Sequence, residues 1–277
     1  MPPVSRSTAQ NQPPPGGEVS LRPIVLPDRD AVAETVTDLV LDRLATSDGA
    51  FLLGCPGGRT VAPTYRALAR RADEGADLSR LVVVMMDEYV VHDDAGIPRT
   101  VDPGLSYSCR GFARREILQP IADACGRAGT RAPTEVWVPD PSAPERYDAA
   151  IAAAGGIDLF LLASGDSDGH IAFNQPGTPR ESRSHVTELG EATRRDNMST
   201  FPELTRLEMV PTHGVTVGID TIAASSREVV MILSGEHKRE AFRRITAAQA
   251  YEPDWPATIA VECKSPLLVA DRAAAGH

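Results

Sequence analysis

The chain has 277 residues, 42% of them hydrophobic and 24% charged, which is the composition of a globular protein long enough to bury a sizeable core. Its formal net charge of −10 argues against general nucleic-acid binding, although a locally basic pocket for an anionic metabolite is compatible with it. Cys55, Cys109, Cys125 and Cys263 lie far apart with no C-x-x-C spacing, which argues against structural zinc and a disulfide framework and fits reduced thiols in a cytoplasm.

In chain order, residues 1–20 are rich in Pro, Ser, Gln and Gly, with Pro13-Pro14-Pro15-Gly16-Gly17 as the extreme, and read as a disordered tail. Residues 21–277 read as one domain, whose order begins at Leu21-Arg22-Pro23-Ile24-Val25-Leu26. Asp28 to Ala45 has helical periodicity, with Val32, Val36, Leu39, Val40 and Leu44 on one face. Ala50 to Gly54 is a short buried strand, and Pro63 to Ala72 a helix. Leu81 to Met86 is apolar throughout, as a strand covered on both faces would be. Helices are predicted over Tyr107–Ile121, Ala143–Ala154 and Glu236–Thr246. Further strands are predicted over Ile157–Ala163, Gly214–Ile219, Glu228–Leu233 and Leu267–Ala270. This alternation predicts an α/β fold: an open, mostly parallel, doubly wound, Rossmann-like sheet with helices on both faces. His92–Gly104 and Gln175–Arg183 are loop-like and supply candidates for a lid segment. No apolar run reaches membrane-span length, and no hydrophobic signal core opens the chain, so the expected location is cytoplasmic with no membrane partner.

Four polar clusters follow predicted strands. Gly54-Cys55-Pro56-Gly57-Gly58-Arg59-Thr60 lies between a strand and a helix. Its glycines let backbone N–H groups approach a phosphate, and Arg59 and Thr60 add donors. It is neither a Walker A loop nor G-x-G-x-x-G, and an ordinary glycine turn is its plainer explanation. Met86-Asp87-Glu88-Tyr89 puts two acids at a buried strand terminus, where they are costly unless solvated or used, and a carboxylate there can shuttle protons on a substrate carbon. Asp168-Gly169-His170-Ile171-Ala172-Phe173-Asn174 follows the strand at Ile157–Ala163. Asp168 can fix the tautomer of His170, the side chain best placed to move protons near neutral pH. Ser234-Gly235-Glu236-His237-Lys238 offers Lys238 as a point charge for a phosphate. Each cluster alone has a structural explanation as a cap, turn or solvated surface. In a parallel sheet, however, the strand ends share one side, and ligands bind there. Together they describe a sugar-phosphate-sized site with acids, one imidazole, two cations and no metal set.

The chain resembles the glucosamine-6-phosphate deaminase/isomerase family, which also includes 6-phosphogluconolactonases. The resemblance runs from Leu21 to Asp271 and rests on Leu53 to Thr60 with Thr64-Tyr65, Met86 to Tyr89, Ser106-Tyr107, Asp168 to Asn174, Val215 to Gly218 and Ser234 to Lys238. Met-Asp-Glu-Tyr and Ile-Ala-Phe-Asn favour the deaminase branch. The resemblance implies that His170, oriented by Asp168, opens the pyranose ring, and that Asp87 moves the C2 proton toward C1. Gln175 would complete the set around the imidazole. Gly57, Gly58, Arg59, Thr60, Glu88 and Lys238 would bind the substrate and its phosphate. No metal or organic cofactor is implied, and the expected partner is a small-molecule sugar phosphate, with homo-oligomer formation left open.

Several positions depart from the family pattern. Gln175 stands where similar deaminases carry a glutamate, and an amide cannot stabilise imidazolium as an anion would. Asp166 stands where the Gly-rich turn normally has glycine. The lid arginine of the family falls near Ser199, with Arg194 and Arg195 as candidate substitutes, and the basic allosteric positions fall near His185 and Thr187. The sequence therefore points first to an amino-sugar-phosphate deaminase without allosteric activation. A sugar-phosphate isomerase or lactonase is the alternative enzyme, and a non-catalytic sugar-phosphate-binding protein the alternative class.

Overall fold

The computed structural model describes residues 21–201 and 203–277, so the Pro-rich tail expected over residues 1–20 lies outside the described residues. Seven strands, β1 (Pro23–Leu26), β2 (Phe51–Cys55), β3 (Leu81–Met85), β6 (Glu135–Trp137), β7 (Leu159–Leu162), β10 (Val229–Leu233) and β11 (Pro266–Asp271), form one parallel sheet. Their order is β1-β11-β10-β7-β2-β3-β6. Four others, β4 (Asp87–His92), β5 (Pro98–Thr100), β8 (His185–Glu188) and β9 (His213–Thr216), form an antiparallel sheet in the order β5-β4-β9-β8. The helices are α1 (Arg29–Thr46), α2 (Ala62–Asp73), α3 (Cys109–Phe112), α4 (Gln119–Ala128), α5 (Glu145–Ala153), α6 (Glu191–Thr200), α7 (Ile219–Ser225), α8 (Arg239–Ala247) and α9 (Arg272–Ala275).

Period-two alternation divides the apolar strands between two cores. Leu53, Val83, Leu159, Leu161, Val230 and Ile232 point to the face covered by Val36 and Val40 of α1, Leu68 of α2 and Ile121 of α4. Leu52, Val82, Val84, Phe160, Leu162, Val229 and Met231 point to the other face, against Ile151 of α5, Ile222 of α7 and Ile245 of α8. Strands buried on both faces need apolar side chains in both directions, which is why β2, β3, β7 and β10 read as unbroken hydrophobic runs. β7 and β10 approach β2 from one side while β3 and β6 extend from the other, so the order reverses at the β2–β7 boundary. The crevice at such a switch point is where open α/β sheets bind ligands.

The structure corrects several boundaries. Gly214–Ile219 does not continue as one strand: β9 ends at Thr216 in the antiparallel sheet, and α7 starts at Ile219. The segment expected as the Tyr107–Ile121 helix begins at Cys109 and continues to Ala128, passing through a wide π turn over Ala113–Leu118. That turn lies just before Pro120, whose ring removes a donor and crowds the carbonyl four residues back. The loop-like His92–Gly104 contains β5, and Glu236–Lys238 forms a separate 3-10 turn before α8.

Candidate active site

Four C-terminal strand ends of the parallel sheet converge on one cavity of about 170 Å³. After β2 the chain turns through Gly57-Gly58-Arg59-Thr60. Gly58 holds φ 93°, a left-handed conformation that favours glycine, and the Tyr65 hydroxyl donates to the Pro56 carbonyl at 2.8 Å to pin the loop from beneath. All four of these loop residues line the cavity.

Between β3 and β4 the chain passes from the parallel to the antiparallel sheet at Met86, placing Asp87 in the cavity wall at 7% exposure. Burial pushes Asp87 up to about 7; the Cys109 hydrogen bond opposes that rise, Glu88 adds to it, and His170 opposes it. The Cys109 thiol donates to Asp87 Oδ1 at 3.2 Å. Burial, then the Asp87 and Glu88 carboxylates, push that thiol well above its usual range, so it stays protonated as a donor.

Glu88 does not line the cavity with its neighbour, which corrects its expected role in substrate binding. Its fully buried carboxylate accepts from the backbone N–H groups of Tyr89, Cys109 and Arg110 and from the Ser108 hydroxyl, all at 2.9 Å. Through these bonds it caps the start of α3 from inside the protein. Successive residues of a strand point to opposite faces, so Asp87 and Glu88 cannot both enter one cavity.

After β7, Asp168 Oδ1 lies 2.7 Å from His170 Nδ1 and also accepts the His170 backbone N–H at 3.1 Å. Burial alone would raise Asp168, but the hydrogen bonds and charge of His170 outweigh it and hold the carboxyl below its usual value. With Nδ1 committed to the acid, the other ring nitrogen, Nε2, is the one left to exchange a proton. A Cβ on Gly165 would stand 2.2 Å from His170 Nδ1 and 2.6 Å from Asp168 Oδ1, so the pair can close only over a glycine. Asn174 lies outside the cavity and stitches the turn instead, donating to the Ile171 and Val217 carbonyls at 3.0 and 2.8 Å.

The expected fourth member of this set is not brought to the imidazole. Gln175 Nε2 donates to the Glu188 carbonyl at 2.7 Å, and its other amide atom packs against Gly190, between β8 and α6. A position five residues past His170 is turned outward by the antiparallel pairing of β8 with β9, which the sequence reading did not foresee.

Lys238 lines the cavity at 4% exposure, with its ammonium bonded to the Ser164 carbonyl and the Asp166 carboxylate. The candidate substitutes for a lid arginine both turn away. Arg194 donates to the Leu207 and Val210 carbonyls, and Arg195 pairs with Glu191. Among the cavity residues that sequence reasoning missed, two bear on the acids of the site. One is Cys109, hidden inside an expected helix. The other is Asp196 on α6, whose carboxyl is raised by burial first, lowered by His170, and raised by Asp166 and Asp168.

Two acids of opposite pKa shift and an imidazole around a cavity at a switch point define an acid–base site on an α/β scaffold. Residues 27–269 match the family described as glucosamine-6-phosphate isomerases/6-phosphogluconolactonase, and the chain belongs to that family. Among its relatives, a protein named glucosamine-6-phosphate deaminase from Streptomyces avermitilis is 38% identical over 219 residues, covering 79% of this chain and 78% of its own. One of the same name from Shouchella clausii is 34% identical over 250 residues, covering 89% and 93%. A solved structure of a monomeric glucosamine-6-phosphate deaminase superposes with TM-score 0.76 at 27% identity, covering 92% of this chain and 99% of that one. A 6-phosphogluconolactonase from Leishmania guyanensis, at 16% identity and TM-score 0.65, shares the fold.

Proposed function

We propose that the protein converts glucosamine 6-phosphate to fructose 6-phosphate and ammonia. The observation that carries this reading is a single cavity faced by Asp87, held near neutrality, and by the Asp168–His170 pair. Family membership and relatives named for this activity support it. His170 moves a proton from the anomeric hydroxyl to the ring oxygen and opens the pyranose. Asp87 takes the C2 proton and returns it to C1, while a proton passes from the amine to the C1 oxygen, so the 2-amino aldehyde becomes a 1-hydroxy-2-imine. Water adds at C2, the C–N bond breaks, and ammonia leaves. A group that both accepts and returns a proton works best with a pKa near the operating pH, which the burial of Asp87 supplies. The Gly57–Thr60 loop offers donors to the phosphate end. Every step uses proton transfer and water, and the setting proposed for it is the cytoplasm.

The experiment is incubation of purified protein with glucosamine 6-phosphate while ammonia and fructose 6-phosphate are followed together. Release of both in equal amounts, lost in His170→Ala, is the expected outcome. Lactone hydrolysis or isomerisation without ammonia would reject the reading. Sugar-phosphate binding with no turnover of any of these substrates would leave the binding-protein alternative.

A further inference from the structure

Three acids line the cavity, Asp87, Asp166 and Asp196, and two of them are already committed. Asp87 is the group that moves the C2 proton, and it accepts the Cys109 thiol at 3.2 Å. Asp166 holds the Lys238 ammonium. Asp196 is half-buried on α6, and its carboxylate has no hydrogen-bond or ion-pair partner among the described residues.

The helical period presents this acid to the cavity. Thr193, Asp196, Asn197 and Thr200 are spaced i, i+3, i+4 and i+7, so one face of α6 forms the wall. Thr193 Oγ1 lies 3.4 Å from His170 Nδ1, which sets the first turn of that face beside the imidazole, and Asp196 follows one turn later. Arg194 and Arg195, its neighbours in sequence, are bonded elsewhere. Beside it on the same wall, the Asn197 side-chain nitrogen is buried with no hydrogen-bond partner. An anion without a cation and a donor without an acceptor are costly to keep side by side, and a bound polar ligand would satisfy both. Burial raises the Asp196 carboxyl, His170 draws it down, and Asp166 and Asp168 raise it again, so a cation arriving beside it is favoured by charge.

The stereochemistry of the substrate says where that cation sits. At a tetrahedral carbon the hydrogen and the amino group diverge. With the C2 hydrogen turned to Asp87, the nitrogen points away from Asp87, toward the part of the cavity walled by α6. We propose that Asp196 receives the C2 ammonium of the substrate and so selects an amino-sugar phosphate over one with a hydroxyl at C2, an assignment that rests on the deaminase reading above and deepens it. A hydroxyl there would leave the carboxylate with a neutral hydrogen bond in place of a charge-assisted one. The free N–H of Asn197 is then available to a neighbouring sugar hydroxyl oxygen.

Calorimetric titration of the full-length protein with two open-chain alcohols tests it: the reduced forms of glucosamine 6-phosphate and of glucose 6-phosphate. Neither has an aldehyde, so neither is turned over. The wild type should bind the amino alcohol roughly tenfold more tightly, the worth of one charge-assisted hydrogen bond. Asp196→Asn, which keeps the shape of the side chain, should shrink that preference to about twofold or less by weakening the amino alcohol alone. Asp196→Glu should restore part of it. In turnover, Asp196→Asn should raise KM for glucosamine 6-phosphate more than it lowers kcat, as loss of ground-state binding does. A preference that survives Asp196→Asn overturns the proposal, as does a wild type that binds the two alcohols alike or binds neither at millimolar concentration. A preference that depends on Asp196 in a protein that releases no ammonia would reject the deaminase reading and keep the ammonium site. Ammonia release with a preference indifferent to Asp196 would do the reverse.

Discussion

Burial of Asp87 beside Glu88 favours the uncharged acid, and this has consequences for both stability and rate. Its folded-state pKa of about 7 lies above that of an exposed carboxyl, so the folded protein holds the proton more tightly than the unfolded chain does. The stability that protonation confers is fully present below the unfolded pKa and is lost as pH rises through the folded one. Asp87→Asn should therefore be more stable than the wild type at pH 8, with the gap shrinking as pH falls toward 4. Each ~1 kcal/mol corresponds to roughly 2–4 °C in a chain of this size. The same substitution should cut turnover by ~10²- to 10⁴-fold, the usual worth of a positioned base. Thermal melts at the two pH values decide the matter; an Asn variant that melts lower at pH 8 would show that the carboxylate is well solvated or paired. Cys109 supplies a second check, because its hydrogen bond lowers Asp87 against the effect of burial. Cys109→Ala should move the rising limb of the kcat/KM profile to higher pH, and Cys109→Ser, which keeps a donor, should move it less. An unmoved limb would show that the thiol has no bearing on the base.

Elements with a strong apolar period were legible in the sequence, and those with a weak one were not. β2, β3, β7 and β10 are wholly buried, and their unbroken apolar runs announced the parallel sheet and placed the loops that follow them. β8 reads His-Val-Thr-Glu with no fully buried residue, and α6 buries Thr193 alone, so neither carries a period strong enough to stand out. The side chains whose surroundings depend on these weak elements are the ones whose direction the sequence could not give. Gln175 is turned by β8, Asp196 is presented by α6, and Glu88 is turned inward by the pleat of β4. By contrast, the contact of Asp168 with His170 is local, set by the single intervening residue Gly169 and by Gly165 beneath. Gly165→Ala should consequently act on the site more than on the fold. Its methyl would force His170 and Asp168 apart, at an overpacking cost of ~1–3 kcal/mol. Circular dichroism should be near wild type while turnover falls at least as far as in His170→Ala. A variant that keeps its activity would show that the pair need not stay in contact.

The two sheets and α6 enclose the cavity from unlike directions, with unlike rigidity. The parallel sheet supplies His170 and the glycine loop from strands packed on both faces, and the antiparallel sheet supplies Asp87 at the start of β4. The far wall comes from α6, which is joined to the rest through a line of rings: Phe173 against Tyr89 at 5.1 Å, Tyr89 against Tyr107 at 5.5 Å, and Tyr107 against Phe201 at 6.4 Å. Phe201, at the C-terminal end of α6, is the last ring in that line and itself faces the cavity. A ten-residue helix with one buried side chain has little apolar area to resist local opening, so it belongs to the least stable part of the structure. The loops His92–Gly104 and Gln175–Arg183, candidates for a lid in the sequence, contain or adjoin paired strands and hydrogen-bonded turns, which leaves α6 as the wall best suited to move. Amide hydrogen exchange should show the α6 backbone exchanging well before β2, β3, β7 and β10, and slowing when the cavity is filled by a sugar phosphate. Phe201→Ala should hasten α6 exchange further and raise KM more than it lowers kcat, because it loosens a wall without touching Asp87 or His170. Exchange of α6 at the rate of the central strands, unaltered by ligand, would mean that the wall is fixed and that substrate enters by another route.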